Sequence, residues 1–140
     1  MTKTVGQTAS VGFQIGVRRT LHLTQEQAWE YLISPSGLKL WLGDLETLNL
    51  EVGQAYSAND GTSGELRVVK PYEQLRMTWQ RKNWPKSSTL QIRLIPGSGN
   101  RTTISFHQEK LTDLNAREEM KLRWENVLSH LADYAEQISS

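Results

Sequence analysis

The sequence predicts an α+β domain in which an antiparallel sheet packs against one long C-terminal helix. Apolar and polar residues alternate with period two through much of residues 45–111, and apolar residues recur at spacings of three and four over residues 115–138. The length of 140 residues suits a single domain with one hydrophobic core. We therefore expect the helix to cover the apolar face of the sheet.

The first predicted elements are a strand and two short helices. Residues 13–23 alternate as a strand. Thr24 and Gln27 then match a capping box, which starts a helix by satisfying free backbone amides. Pro35 ends this helix because proline lacks an amide hydrogen, and a second short helix carries Trp41.

The middle of the chain is predicted to form the rest of a sheet of about six to seven strands. Short alternating segments are separated by turns rich in Gly, Pro, Asn and Ser. The expected inward-facing positions are Leu75, Met77 and Trp79, then Leu90, Ile92 and Leu94, then Ile104 and Phe106. Sequential strands with short connections predict an antiparallel meander that is apolar on one face.

The last predicted element is the long helix over residues 115–138. Its 24 residues span roughly 36 Å, which is enough to cross the sheet. Its apolar stripe contains Met120, Trp124, Val127, Leu128, Leu131, Ala135 and Ile138.

Residues 1–12 are mostly small and polar, and we expect them to form a flexible tail before a single domain at residues 13–140. They contain no apolar run of the kind that a signal peptide requires, so we expect a cytoplasmic protein. No apolar stretch in the sequence approaches the 18 residues of a membrane span.

The composition excludes several kinds of chemistry. The chain has no cysteine, which removes disulfides, thiolate nucleophiles and cysteine-based metal sites. The net charge of +1 gives no overall attraction to nucleic acid or anionic membrane. Five tryptophans are the unusual feature of so short a chain.

Short motifs along residues 13–138 resemble a known family. They are Ala28-Trp29, Leu40-Trp41-Leu42-Gly43, Val52-Gly53, Gly64 through Val68 to Lys70-Pro71, Gln74-Leu75-Arg76-Met77-Thr78-Trp79, and Trp124-x-x-x-Leu128-x-x-Leu131. Their order is similar to that in the START-like (SRPBCC) superfamily, and within it to the subfamily resembling the C-terminal domain of the activator of heat-shock-protein-90 ATPase.

The resemblance implies a helix-grip fold. In this fold a curved antiparallel sheet wraps around a long C-terminal helix, two short helices follow strand one, and an apolar cavity often lies between sheet and helix. The resemblance also suggests a stress-response context. The activator engages its chaperone through a separate N-terminal domain, for which 140 residues leave no room. We therefore do not expect the chaperone-activating function to transfer.

The residues do not predict an active site. His22, His107 and His130 lie in three different predicted elements, and none has a second metal ligand at a suitable spacing. No phosphate-binding glycine loop or nucleophile motif is present. We expect no catalytic residues, no metal and no cofactor, so a cyclase-like or hydrolase-like activity is the least favoured function.

The favoured function is the binding of a small apolar or amphipathic ligand between the sheet and the C-terminal helix. The same aromatic residues are equally explained as ordinary core packing. Arg19 shares the apolar strand face and either reaches solvent at the end of the sheet or pairs with an anionic group of the ligand. The expected lining residues are Trp41, Met77, Trp79, Leu90, Ile92, Phe106, Trp124 and Leu128, with Arg19 or Tyr56 as polar anchors.

The alternative function is a protein-interaction module, chaperone-linked or other, that uses a basic sheet face. Residues 65–101 contain eight basic and two acidic side chains, for a net charge of +6. Arg76 and Arg93 fall on the polar face, and Trp84 lies in a basic loop as a possible stacking group. A solvated surface explains the charge more simply, and no nucleic-acid motif accompanies it, so nucleic acid is not an expected partner.

Overall fold

The computed structural model describes residues 7–8, 12–45 and 48–139. Within these residues the chain forms seven strands and three helices. In chain order they are β1 (Gln7–Thr8), β2 (Gly12–Leu21), α1 (Gln25–Ile33), α2 (Pro35–Trp41), β3 (Ala55–Ser57), β4 (Ser63–Lys70), β5 (Gln74–Trp79), β6 (Ser88–Pro96), β7 (Thr102–Leu111) and α3 (Leu114–Ser139).

The seven strands form one antiparallel sheet in the order β1-β2-β7-β6-β5-β4-β3. The predicted α+β architecture is confirmed, with a long C-terminal helix against a curved sheet and two short helices after the first long strand. Most of the expected tail, residues 1–12, lies outside the described residues, and Gln7–Thr8 within it pairs with β2.

Local sequence signals start the two short helices. The Thr24 hydroxyl accepts from the Gln27 amide, and the Gln27 side chain accepts from the Thr24 amide, so the predicted capping box is present. Pro35 does not only end α1: it is the first residue of α2, where its missing amide hydrogen costs nothing. Ser34 caps α2 by accepting from the Gly37 amide at 3.1 Å.

The core lies between the sheet and α3, and large aromatic rings fill it. Trp124 stacks on Phe106 with ring centroids 5.0 Å apart and meets Trp79 edge-on at 5.6 Å. These three rings and Trp41 are completely buried. Aromatic pairs in such geometries stabilise a core beyond the burial of their area.

A buried polar chain crosses the same core. Trp124 Nε1 donates to Gln108 Oε1 at 2.8 Å, and Gln108 Nε2 donates to Ser88 Oγ at 2.8 Å. The Ser88 hydroxyl in turn donates to the Trp79 carbonyl. Gln108 therefore links α3 to β6 and β7 through satisfied hydrogen bonds, as a buried polar group requires.

Candidate functional site

A groove of about 480 Å³ lies between the C-terminal end of β2 and the last turns of α3. Leu21 and Ala135 are buried and give the groove an apolar base, whereas Arg19 and Glu136 are exposed beside it. The other lining residues are Thr20, His22 and Ala132. The groove thus combines a small apolar surface with polar side chains.

Arg19 reaches this groove because of the alternation of β2. It follows Ile15 and Val17 on the strand face that ends in Leu21, as predicted. At this end of the sheet the neighbouring α3 residues include the small Ala132, so the Arg19 side chain is exposed. Among the described residues it forms no ion pair or hydrogen bond.

The structure brings together most of the predicted cavity residues, but as packed core. Each is at most 7% exposed, and all belong to one apolar cluster. They are Trp41, Tyr56, Met77, Trp79, Leu90, Ile92, Phe106, Trp124 and Leu128. Arg19 stands apart from them at the groove, and none of the nine lines that groove.

The Tyr56 hydroxyl already has a hydrogen-bond partner within the protein. It donates to the Thr78 carbonyl, and burial raises the pKa of this phenol above its ordinary value. The neutral hydroxyl is therefore retained at all physiological pH values and is already paired.

A second pocket of about 370 Å³ lies between α2, the turn at Asp60 and the middle of α3. It is lined by Lys39, Leu40, Gly43, Asp60, Arg123, Asn126, Val127 and His130. The sequence did not predict this group of lining residues, because they come from three segments that only the fold brings together.

Arg123 is the central cation of this basic pocket. Its guanidinium carbon lies 5.3 Å from the ring centre of Trp79 and 5.6 Å from that of Trp124, within cation–π range. Nη2 donates to the Trp41 carbonyl at 3.5 Å. Burial, followed by the nearby Arg81 charge, lowers the pKa of Arg123.

Asp60 supplies the carboxylate of the pocket. Burial opposes its ionisation, but hydrogen bonds from Thr62 and the charges of Arg123 and Arg81 outweigh burial and lower the pKa of Asp60. The Thr62 amide donates to Asp60 Oδ1 at 2.9 Å. Arg81 itself pairs with Glu119.

Trp84 is not the free stacking group that its basic loop suggested. Its ring meets Trp79 edge-on at a centroid distance of 5.5 Å, and the side chain is partly buried against the core. Gln80 Nε2 also donates to the Trp84 carbonyl at 2.8 Å. The loop therefore folds inward because its indole gains more from apolar contact than from exposure.

The predicted basic face is partly neutralised. Arg76 Nη2 lies 3.5 Å from Glu109 Oε1, and Arg67 Nη1 lies 3.1 Å from Glu65 Oε2. Glu109 lies on β7, outside the segment from which the predicted charge was counted. Arg93 is exposed and forms no ion pair among the described residues.

The three histidines lie at three different places on the structure. His22 lines the groove, His130 lines the basic pocket, and His107 faces outward beside Arg76 and Glu109. Within residues 7–8, 12–45 and 48–139, no three His, Asp or Glu side chains gather in a way that would hold a metal ion. In the same part of the chain, no helix has the length and apolar character needed to cross a membrane.

The fold is similar to that of several solved structures. CalU16 from Micromonospora echinospora superposes with a TM-score of 0.75 at 21% identity, covering 91% of this chain and 80% of that chain. Protein CV1439 from Chromobacterium violaceum superposes with a TM-score of 0.72 at 27% identity, covering 88% of this chain and 96% of that chain. PFC0360w, an HSP90 activator from Plasmodium falciparum, superposes with a TM-score of 0.70 at 19% identity, covering 81% of this chain and 88% of that chain.

These similarities identify the architecture as a helix-grip fold. No curated protein matches the chain. The family model described as "Activator of Hsp90 ATPase homolog 1-like protein" matches residues 22–136, which is more than half of the sequence. The chain therefore belongs to the Activator of Hsp90 ATPase homolog 1-like family.

Proposed function

We propose that this protein is a binding module that holds a small amphipathic ligand with an anionic group in the groove between β2 and α3. The proposal rests on Arg19, which has no partner among the described residues and lies beside an apolar base formed by Leu21 and Ala135. The groove volume of about 480 Å³ falls within the size range of ligand sites.

The packing of the interior favours a ligand at this end of the sheet. A ligand in the centre would have to displace Trp124, which stacks on Phe106 and donates to Gln108. The groove needs no such rearrangement, because α3 presents Ala132 and Ala135 there instead of large rings. The apolar core residues remain the alternative location for the ligand.

The charges of the groove define the head group. Arg19 offers a planar set of donors that suits a carboxylate. Glu136 on the opposite side would repel a second negative charge. We therefore expect a ligand with one negative charge and an apolar chain, such as a medium-chain fatty carboxylate.

The test is a titration of the ¹⁵N-labelled protein with decanoate, decanol and decyltrimethylammonium, followed by amide chemical shifts. We expect decanoate to bind most tightly and to shift amides of the groove. Arg19→Gln should weaken decanoate binding by about fivefold, the value of an exposed ion pair near 1 kcal/mol.

Arg18→Gln is the matched control, because Arg18 is the next residue on β2 and its side chain points to the opposite sheet face. It should leave decanoate affinity unchanged. Equal losses in the two variants, or shifts confined to the core rather than the groove, would contradict the proposed location.

A second candidate function is an interaction with an acidic protein surface, including that of a chaperone. Arg93 favours it, since this exposed cation lies outward on β6. One similar structure is an HSP90 activator. If this function holds, Arg93→Glu should weaken binding to purified Hsp90 measured by calorimetry, and Arg93→Lys should retain it. No binding by the unmodified protein would exclude this partner.

A further inference from the structure

Arg123 in the basic pocket is a partly buried cation, and no carboxylate in residues 7–8, 12–45 and 48–139 forms an ion pair with it. Among the described residues, neither Asp60 nor Glu119 forms an ion pair with Arg123, although both favour its charged form. Asp60 is engaged by Thr62, and Glu119 pairs with Arg81. A partly buried charge with no opposite charge in direct contact is unfavourable, and a bound anion would relieve this cost.

Two buried hydrogen-bond donors, one on Arg123 and one on the Trp79 ring that its guanidinium covers, lack acceptors among the described residues. Within the described residues, Arg123 Nε and Trp79 Nε1 have no hydrogen-bond partner. The two side chains are stacked, with the guanidinium carbon 5.3 Å from the Trp79 ring centre. Both groups can only donate hydrogen bonds, so each leaves an unsatisfied N–H beside the positive charge of Arg123.

The pocket presents further donors that are free to bind a ligand. Lys39 comes from α2, and Asn126 and His130 come from successive turns of α3. In the part of the chain that the structure describes, these three side chains form no hydrogen bond or ion pair. Asp60 is the carboxylate among the lining residues, against the charges of Lys39 and Arg123.

We infer that this basic pocket binds a phosphate group, held by Arg123 and Lys39 with Asn126 and His130 as additional donors. Arg123 is oriented before binding by its stacking on Trp79 and Trp124 and by the Trp41 carbonyl. A guanidinium held in this way loses little freedom when it donates to a phosphate, and Lys39 adds a point charge.

The site is independent of the groove proposed above. Arg123, Asn126 and His130 lie on the flank of α3 next to α2, and Ala132 and Glu136 lie on the flank next to β2. The helical rotation of 100° per residue places these two sets on opposite sides of α3.

The experiment is a calorimetric titration with inorganic phosphate and, separately, glycerol 3-phosphate, at constant ionic strength against a chloride blank. Tryptophan fluorescence provides a second readout, because Arg123 lies on two indole rings. Binding of both probes supports a site for the phosphate group on a small carrier. Binding of inorganic phosphate alone supports a site for the free ion.

Two variants test the assignment without disturbing the core. Lys39→Gln should weaken phosphate binding by about fivefold, as expected for one exposed charge. Asp60→Asn should strengthen binding several-fold, because it removes the opposing carboxylate while the amide oxygen still accepts from Thr62.

Lys70→Gln is the matched control, since Lys70 is exposed at the opposite end of β4 from the Asp60 turn. Phosphate that binds no better than chloride would overturn the inference. Lys39→Gln and Asp60→Asn affinities equal to that of Lys70→Gln would overturn it as well. Either result leaves the groove proposal standing, because decanoate binding is measured separately.

Discussion

At the scale of single residues, the polar atoms inside the core decide how α3 is held on the sheet. Gln108 continues the inward alternation of Ile104 and Phe106, so its position on the sheet follows from period two. Its role does not follow from the pattern, because its partners Trp124 and Ser88 are on other elements. Only the packed structure identifies it as a link.

We predict that Gln108→Met destabilises the protein by about 2 kcal/mol, because it leaves the Trp124 N–H without an acceptor in a buried site. Urea unfolding measures this free energy. Gln91→Met, the same change on the outward face of the adjacent strand β6, removes only the partly buried hydrogen bond from Gln74 and should cost less than about 1 kcal/mol. Equal losses would show that the buried hydrogen bonds contribute little.

At the scale of elements, local signals account for the starts of the helices. Thr24 and Gln27 start α1, and the Asp113 side chain accepts from the Ala116 amide at the start of α3. These boundaries are predictable because each depends on residues three positions apart. The junction of α1 and α2 is also tight: a Cβ at Gly37 would lie 1.8 Å from the Tyr31 carbonyl oxygen.

We predict that Ser34→Ala destabilises the protein by about 1 kcal/mol, because its hydroxyl both caps α2 and donates to the Tyr31 carbonyl at the end of α1. Thermal unfolding monitored by circular dichroism measures the effect. Ser36→Ala changes an exposed serine on the same helix and should be close to neutral. A neutral Ser34→Ala would mean that water replaces the cap.

At the scale of the whole molecule, α3 separates two surfaces with different chemistry. The groove on its β2 side joins an apolar base to Arg19, and the pocket on its α2 side gathers Lys39 and Arg123 around Asp60. The rings of Trp79 and Trp124 fill the space between sheet and helix. The core therefore serves as a rigid support and the flanks of α3 carry the candidate sites.

We predict that the two sites act independently. Lys39→Gln should leave decanoate affinity unchanged, and Arg19→Gln should leave phosphate affinity unchanged, since separated sites without shared partners have additive effects. Calorimetric titrations of both variants with both ligands measure the coupling. A change of more than twofold in either cross-titration would show that α3 transmits an effect between its flanks.

The sequence by itself determined the three helices, the order of helices and sheet segments, and the inward faces of β2, β5, β6 and β7, because periodicity, caps and turns are local properties of the chain. It also placed Arg19 on the apolar face of β2, and Arg19 lines the groove at the end of that strand. Only the tertiary structure decided that the aromatic residues pack as core, that Trp84 turns inward onto Trp79, and that Arg123 lines a pocket with Lys39. These outcomes depend on which distant segments meet and on how their side chains share a limited volume, and no local pattern encodes either.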